Sequence, residues 1–134
     1  MIRKRPLICI IDDDEIYQFL LTNIINSNKL AEEIITLSNG EKAIQYLSNN
    51  RAIDENIPDV IFLDVNMPIM DGWQFIEEYA GIKKEIKKKI VIIMFSSSLN
   101  LIDIERARKI NEISDYIVKL IKLEDIERFL TVEV

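Results

Sequence analysis

The chain has 134 residues, 49% of them apolar and 30% charged, which predicts one globular domain over residues 1–134. A net charge of −6, from 17 basic and 23 acidic residues, argues against a nucleic-acid partner, and no apolar run is long enough to span a membrane. The sequence has no histidine, which excludes imidazole-based triads and metal sites, and its single cysteine, Cys9, suits the reducing cytoplasm.

Short apolar runs alternate along the chain with amphipathic stretches. In chain order, five runs have the length and composition of buried strands: Leu7–Ile11, Ile34–Leu37, Val60–Leu63, Ile90–Phe95 and Tyr116–Val118. Each run is followed by apolar residues at the spacing of an amphipathic helix. The five sets, in chain order, are Ile16, Phe19, Leu20 and Ile24; Ala43, Ile44 and Leu47; Phe75, Ile76 and Tyr79; Ile104, Ala107 and Ile110; and Leu123, Ile126 and Leu130. One of the three aspartates after the first run is placed to cap the first helix.

This alternation of strands and helices predicts an α/β fold built on a single doubly wound, five-stranded parallel sheet with five helices covering both faces. The crossover connections of such a sheet are right-handed. Ligands bind beyond the carboxyl ends of its strands, where the strand order reverses. The residues directly after each strand are therefore the candidates for a functional site.

Polar and charged residues follow four of the five predicted strands. They are Asp12, Asp13 and Asp14 after the first strand, Asp64 and Asn66 after the third, Ser96, Ser97 and Ser98 after the fourth, and Lys119 after the fifth. Taken singly, each has an ordinary structural role, such as helix capping by an aspartate. Their joint arrangement at one edge of the sheet favours a functional site.

The chemistry of this set points to phosphoryl transfer. Two carboxylates at about 4 Å repel by about 4 kcal/mol at an effective dielectric constant of about 20, so the cluster requires a cation. Oxygen ligands with open positions favour Mg²⁺. Lys119 would add a point charge, the serines would donate to phosphoryl oxygens, and an aspartate carboxylate can itself be the nucleophile.

These strand ends resemble a known family over essentially the whole chain. The segment Leu63–Gly72, LDVNMPIMDG, is similar to the phosphoacceptor loop of the receiver domain of two-component response regulators, and Ile10–Asp14, IIDDD, to that family's acidic pair. Ser96, Tyr116 and Lys119 fall where the family keeps a hydroxyl residue, a switch aromatic and a lysine. The resemblance implies a flavodoxin-like domain with strand order 2-1-3-4-5, of the stand-alone, chemotaxis-regulator-like kind that has no output domain.

The resemblance also implies roles for the charged residues. Asp64 would accept a phosphoryl group from a phosphohistidine of a histidine kinase or histidine phosphotransfer protein. Lys119 would pair with Asp64 or with its phosphoryl group. Mg²⁺ would be bound by Asp13, Asp64 and the backbone carbonyl of Asn66, with Asp12 acting through water.

A switch and a timer are implied as well. Ser96 would move to hydrogen-bond the phosphoryl oxygen and let Tyr116 turn inward. The changed surface would be the face of the fourth helix, fifth strand and fifth helix, which an output protein would recognise. Asn66 and Ser98 occupy positions whose side chains modulate hydrolysis of the aspartyl phosphate, and a one-residue shift would give the switch role to Ser97.

One position departs from the family pattern. Leu120 follows Lys119 where the family usually has a proline, often in a cis peptide. A cis bond before a non-proline residue costs about 2.5–4 kcal/mol. We therefore expect a trans peptide here and a differently shaped loop.

A run of lysines near the middle of the chain needs a separate interpretation. Five lysines lie between residues 83 and 89, and no aromatic residue is interleaved with them. Such a run is typical of a solvated helix end and loop rather than of a nucleic-acid surface.

Three functions are compatible with the sequence. The leading one is a phosphorylation switch whose only chemistry is its own phosphorylation and dephosphorylation, so we expect no other enzymatic activity. The second is a degenerate receiver that serves as a docking module without phosphorylation. The third is a haloacid-dehalogenase-like phosphatase, which also uses a nucleophilic aspartate with Mg²⁺ but needs a second aspartate where this chain has Asn66.

Overall fold

The computed structural model describes residues 5–97, 99–119 and 121–130. The strands are β1 (Leu7–Ile11), β2 (Glu33–Leu37), β3 (Val60–Asp64), β4 (Val91–Ser96) and β5 (Asp115–Val118). The helices are α1 (Glu15–Ser27), α2 (Gly40–Asn49), α3 (Gly72–Ile82), α4 (Leu101–Arg108) and α5 (Leu123–Leu130), with 3₁₀ turns at Asp54–Asn56 and Lys83–Glu85. All ten predicted elements are present, and their bounds differ from the sequence pattern by a few residues at most.

The five strands form one parallel sheet in the order β2-β1-β3-β4-β5. This confirms the predicted fold class and strand order. Both β3 and β4 extend one residue further than the apolar pattern indicated, so Asp64 and Ser96 are the last residues of their strands. Asp64 is paired in register with Phe95, directly beside Ser96. The register therefore brings these two polar side chains to the same edge.

Two apolar layers cover the sheet. The central strands β1, β3 and β4 are buried at every position, whereas the edge strands β2 and β5 are half-buried. On one face, residues such as Ile10, Phe62 and Phe95 pack against α1 and α5. On the other face, Leu63 and Met94 pack with α2, α3 and α4. No helix among the described ranges has the length and apolar composition needed to cross a membrane.

Helix α1 is where the sequence pattern predicted, but it buries a different face. Its buried side chains are Tyr17, Leu21 and Ile25. The predicted stripe is instead largely exposed, as the α1 apolar patch: Ile16, Phe19 and Leu20 are 74%, 62% and 44% exposed. Both stripes have helical spacing and apolar character, so spacing alone does not distinguish them. The position of α1 against β1 and β4 decides which one is buried.

Candidate functional site

An acidic cluster lies at the carboxyl edge of the sheet, where β1 and β3 end side by side. Asp12 and Asp64 are buried, at 0% and 4% exposure, and Asp13 is exposed. One carboxylate oxygen of each of these three residues lies within 4.8 Å of the other two. The structure therefore brings together the three aspartates that the strand ends predicted.

Local hydrogen bonds fix the acidic turn after β1. The backbone N–H of Asp12 donates to the carbonyl of Leu37 at the end of β2, at 3.0 Å. The backbone N–H of Asp14 donates to Asp12 Oδ1, also at 3.0 Å. Asp14 caps α1, since its Oδ1 accepts from the backbone N–H groups of Ile16 and Tyr17. Asp14 is thus the capping residue, which leaves Asp12 and Asp13 for the site.

Lys119 reaches across the edge of the sheet into this cluster. Its Nζ lies 3.2 Å from Asp12 Oδ2 and 3.6 Å from Asp64 Oδ1, and its side chain is 13% exposed. The backbone N–H of Lys119 donates to the carbonyl of Ser96 at 2.8 Å, which extends the pairing of β5 with β4 by one residue. Lys119 therefore contacts both buried carboxylates, although no proline follows it.

The electrostatics of Asp64 follow from this arrangement. The pKa of Asp64 is raised to about 7, chiefly by burial and then by the neighbouring Asp12 carboxylate, against the lowering effects of Lys119 and the backbone N–H of Asn66. Among the described residues, Lys119 contacts two of the three clustered carboxylates, so the cluster keeps an excess of negative charge. Additional positive charge at this edge would favour the ionised form of Asp64.

The donor set fits a hard divalent cation. The three clustered ligands are carboxylates, and two of them, Asp13 and Asp64, line a pocket together with further polar side chains that include Asn66 and Ser97. Cys9, the single cysteine of the chain, is buried inside β1. All-oxygen sites that are open to solvent suit Mg²⁺ better than metals that prefer nitrogen or sulfur.

The loop after Asp64 passes close beneath the site. The backbone N–H of Gly72 donates to the carbonyl of Val65 at 2.8 Å. A Cβ at Gly72 would lie 2.7 Å from the carbonyl oxygen of Asp64, so only glycine fits there. Between them, Ile69 has φ 70°, a left-handed conformation that is rare for a β-branched residue.

The two proposed switch residues lie next to each other. Ser96 is 1% exposed at the end of β4. Tyr116, in β5, has a buried hydroxyl that makes no hydrogen bond within the described residues. Burial raises the pKa of Tyr116, and the nearby Ser96 hydroxyl counteracts that effect. Tyr116 is therefore already turned inward in this structure, with Ser96 beside its hydroxyl.

The remaining predicted site residues do not belong to the cluster of Asp12, Asp13 and Asp64. Asn66 is exposed and lines the pocket. Ser97 also lines the pocket, whereas the adjacent Ser96 is among the buried residues. Ser98, predicted to tune dephosphorylation, and Leu120, predicted to follow a trans peptide, lie outside the described residues.

Two site residues were not identified from the sequence. Tyr17 lines the pocket and has its ring beneath the Lys119 ammonium. Gln18 Nε2 donates to the backbone carbonyls of Asp12, at 2.6 Å, and Leu37, at 3.1 Å. The spacing of Tyr17 with Leu21 and Ile25 is a signal that could have indicated a buried helix face.

Comparison with known proteins identifies the family. The family model for the response regulator receiver domain matches residues 8–131. The probable methanogenesis regulatory protein FilR2 of Methanothrix harundinacea is 24% identical over 91% of this chain and 77% of its own length. The probable C4-dicarboxylate response regulator DctR of Bacillus subtilis is 28% identical over 97% of this chain, which spans only 53% of DctR.

A similar solved structure is also that of a response regulator. The crystal structure of a two-component response regulator from Cytophaga hutchinsonii is 31% identical, with a TM-score of 0.87. The alignment covers 95% of each chain. The similarity thus extends over the whole sheet and both helical layers.

Proposed function

This chain belongs to the response regulator receiver family, and from that premise we propose that it is a phosphorylation switch in a two-component pathway, with Asp64 as the phosphoacceptor. The observation that carries the proposal is the environment of Asp64. Its carboxylate is buried at the end of β3, contacted by Lys119 and crowded by the carboxylates of Asp12 and Asp13. A group held in excess negative charge beside a single lysine is suited to a reaction that brings in a cation and a phosphoryl group.

The proposed reaction is a displacement at phosphorus. A carboxylate oxygen of Asp64 attacks the phosphorus atom of a phosphohistidine on a histidine kinase or phosphotransfer protein. The new P–O bond forms as the P–N bond breaks, and the departing imidazole nitrogen takes up a proton. The Lys119 ammonium lies beside Asp64 Oδ1, where it stabilises the negative charge of the phosphorylated product.

We propose that Mg²⁺ is held by Asp12, Asp13, Asp64 and the backbone carbonyl of Asn66, with Asp12 acting through water. Bound Mg²⁺ would neutralise charge between the carboxylates and the phosphoryl oxygens. Asp12 also orients Lys119, through the contact of 3.2 Å between Asp12 Oδ2 and Lys119 Nζ. The chain thus contributes both a pocket for the cation and a fixed ammonium.

We also propose that Ser96 and Tyr116 couple phosphorylation to the face of α4, β5 and α5. A charge-assisted hydrogen bond from the Ser96 hydroxyl to a phosphoryl oxygen contributes about 1.5–3 kcal/mol, which shifts a two-state equilibrium by about one to two powers of ten. The buried hydroxyl of Tyr116 supports this coupling, because it places the tyrosine side chain towards the protein interior. Asn66 and Ser98 would set the rate of dephosphorylation.

The α1 apolar patch supports a partner that approaches along α1. Asp13, Asp14 and Tyr17 line the pocket, and the exposed side chains of the patch lie on the first two turns of the same helix. Exposed apolar groups beside a reactive pocket are typical of protein contact sites. Phe19→Ser should slow transfer from a phosphorylated protein donor and leave transfer from acetyl phosphate unchanged.

Intact mass spectrometry after treatment with acetyl phosphate and Mg²⁺ tests the acceptor. We expect the wild-type protein to gain one phosphoryl group and Asp64→Asn to gain none. Asp54→Asn, which removes an exposed carboxylate from a 3₁₀ turn, is the control and should be phosphorylated like the wild type. Absence of the mass gain in the wild type would favour a docking module, and catalytic release of phosphate from other monoesters would favour a phosphatase.

Nuclear magnetic resonance with beryllofluoride tests the switch. The mimic should perturb amide resonances of α4 and Tyr116 in the wild type but not in Ser96→Ala. Ser97→Ala is the matched control, because Ser97 is the next residue and lines the pocket. Loss of the perturbation in Ser97→Ala, with Ser96→Ala behaving like the wild type, would assign the switch to Ser97.

A further inference from the structure

Tyr17 lies at the base of the site, although nothing in its sequence context indicated a role there. It is 6% exposed and lies on the buried face of α1. The centre of its ring is 4.3 Å from Lys119 Nζ, so the ammonium stands over the aromatic face. The ring of Phe95 lies 5.3 Å from that of Tyr17 and 5.1 Å from Lys119 Nζ. Two aromatic rings therefore form a floor beneath the lysine.

The hydroxyl of Tyr17 makes a second contact with the same loop. The backbone N–H of Ile121 donates to Tyr17 Oη at 3.3 Å, and Ile121 is buried. On the strand side, the backbone N–H of Lys119 donates to the carbonyl of Ser96. Tyr17 and Ser96 thus hold the chain on both sides of residue 120.

The hydrogen bond between Tyr17 and Ile121 is important because of the residue type at position 120. Leucine stands there, and its φ angle is not restricted by a ring as that of proline would be. A loop without that restriction needs other contacts to hold its backbone in one conformation. The hydrogen bond from Ile121 to Tyr17 Oη is such a contact, and it comes from a residue 104 positions earlier in the chain.

We infer that Tyr17 is a positioning residue that holds Lys119 against Asp64, through its ring below the ammonium and its hydroxyl on the following loop. This inference rests on the proposed function, since its kinetic consequence is the rate of Asp64 phosphorylation. A residue that only filled the core would not need the hydroxyl to bind the loop backbone. Tyr17 touches neither the attacking oxygen nor the donor in this scheme and acts through Lys119.

The first test compares phosphorylation rates. Tyr17→Phe keeps the ring and removes the hydroxyl, and it should slow phosphorylation by acetyl phosphate about twofold to tenfold, as expected for loss of one hydrogen bond. Tyr17→Leu removes the ring as well and should be slower still. Tyr46→Phe is the matched control, because its hydroxyl donates to the Asn56 carbonyl at 2.7 Å, remote from Lys119, and its rate should equal that of the wild type.

A double-mutant cycle separates positioning from a general structural effect. In a Lys119→Met background, Tyr17→Phe should cause no further slowing, because Tyr17 has no ammonium left to position. Equal slowing in both backgrounds would overturn the inference. The dissociation constant for Mg²⁺, measured by calorimetry, should be the same in Tyr17→Phe and wild type, and a parallel loss of Mg²⁺ affinity would indicate disruption of the whole pocket instead.

Spectroscopy distinguishes failure of this inference from failure of the proposed function. The methylene protons next to Lys119 Nζ should resonate upfield of ordinary lysine signals because of the ring below them, and Tyr17→Leu should remove that shift. The Ile121 amide should exchange with solvent faster in Tyr17→Phe. If the wild type accepts no phosphoryl group, the proposed function fails, and these two signals still decide the positioning role. Unchanged signals in both variants would overturn it.

Discussion

Two lysine–aspartate clusters lie at opposite ends of the same sheet. At the amino end, Lys88 Nζ contacts Asp59 Oδ1 at 2.9 Å and donates to the carbonyl of Ile57 at 2.6 Å, while Asp59 Oδ2 accepts from the backbone N–H of Leu7. At the carboxyl end, Lys119 faces Asp12 and Asp64. Within the described part of the chain, the first cluster pairs one lysine with one aspartate, and the second has an excess of carboxylates.

The difference lies in how the charges of each cluster are compensated, and it is consistent with a structural role at the amino end and the proposed functional role at the carboxyl end. In the amino-end cluster, Lys88 and Asp59 pair as opposite charges and each also hydrogen-bonds a backbone group, so the pair ties β1 to the loops before β3 and β4. In the carboxyl-end cluster of Lys119, Asp12 and Asp64, burial and then the neighbouring Asp12 carboxylate raise the pKa of Asp64 to about 7. Unbalanced charge is costly for folding and is retained where a ligand completes the site.

The largest expected effect is stabilisation by Asp64→Asn in metal-free protein. Folding raises the pKa of Asp64 from 3.8 to about 7, so its contribution to stability is greatest below about pH 4 and decreases up to about pH 7, because the unfolded chain has lost this proton while the folded protein still holds it. Asp64→Asn lacks this cost and should be more stable by about 2–4 kcal/mol at pH 8, with the difference vanishing near pH 4. Urea unfolding in chelator at both pH values measures it.

The control is Glu77→Gln, which removes one exposed negative charge from α3. It should change stability by less than about 0.5 kcal/mol at either pH. If Asp64→Asn unfolds at lower urea concentration than the wild type at pH 8, the carboxyl-end cluster is not overcharged, and the contrast with the amino end disappears.

At the amino end, we expect removal of a charge to destabilise the protein rather than stabilise it. Lys88→Met removes the ammonium that contacts Asp59 and donates to the Ile57 carbonyl, in a region where both charged side chains are less than a fifth exposed. The free energy of unfolding should fall by about 1–3 kcal/mol. Lys87→Met, at the exposed neighbouring lysine, should have little effect. A neutral outcome for Lys88→Met would show that the pair contributes no more than an ordinary surface ion pair.

Mg²⁺ should stabilise the protein through the carboxyl-end cluster alone. At ten times its dissociation constant, Mg²⁺ should add about 1.4 kcal/mol. Thermal melts with and without the cation should show this increase for the wild type and not for Asp13→Asn. Glu15→Gln removes an acid in the first turn of α1 and should retain the response. The cluster is not a cation site if Asp13→Asn and Glu15→Gln respond equally.

The smallest expected effect concerns backbone strain at the two ends of the sheet. Ile69, in the loop after Asp64, and Lys29, after α1 at the other end of the sheet, have φ angles of 70° and 54°. The β-branched side chain makes this conformation costlier, and Ile69 is 73% exposed, so little packing is lost on replacement. Ile69→Asn should stabilise the protein by about 1 kcal/mol, and Lys29→Asn by about half as much. Equal gains, measured by urea unfolding, would show that strain is not concentrated at the functional end.

Much of the site followed from the sequence because it depends on strand order. Once β1, β3, β4 and β5 are parallel neighbours, the residues after Ile11, Leu63, Phe95 and Val118 must meet at one edge. The apolar runs are long and strongly patterned, which is why all five strands were predicted. Asp12, Asp13, Asp64 and Lys119 were therefore placed correctly before any contact was known.

The lysine run shows where local pattern stops being informative. It predicted solvated side chains, and Lys87 and Lys89 are exposed as expected. Lys88 is instead half-buried against Asp59, from which it is separated by 29 positions in sequence. Nothing in the composition of the run distinguishes Lys88 from its neighbours.

The sequence by itself determined the class of fold and the chemistry gathered at the strand ends, because hydrophobic period and residue type are local properties. Only the tertiary structure decided which stripe of α1 is buried, that the Tyr116 hydroxyl is buried, and that the Tyr17 ring lies against the Lys119 ammonium. These features depend on contacts between residues far apart in the chain, such as Tyr17 and Ile121. Their geometry is set by packing against the sheet, and packing has no signature in the local order of residues.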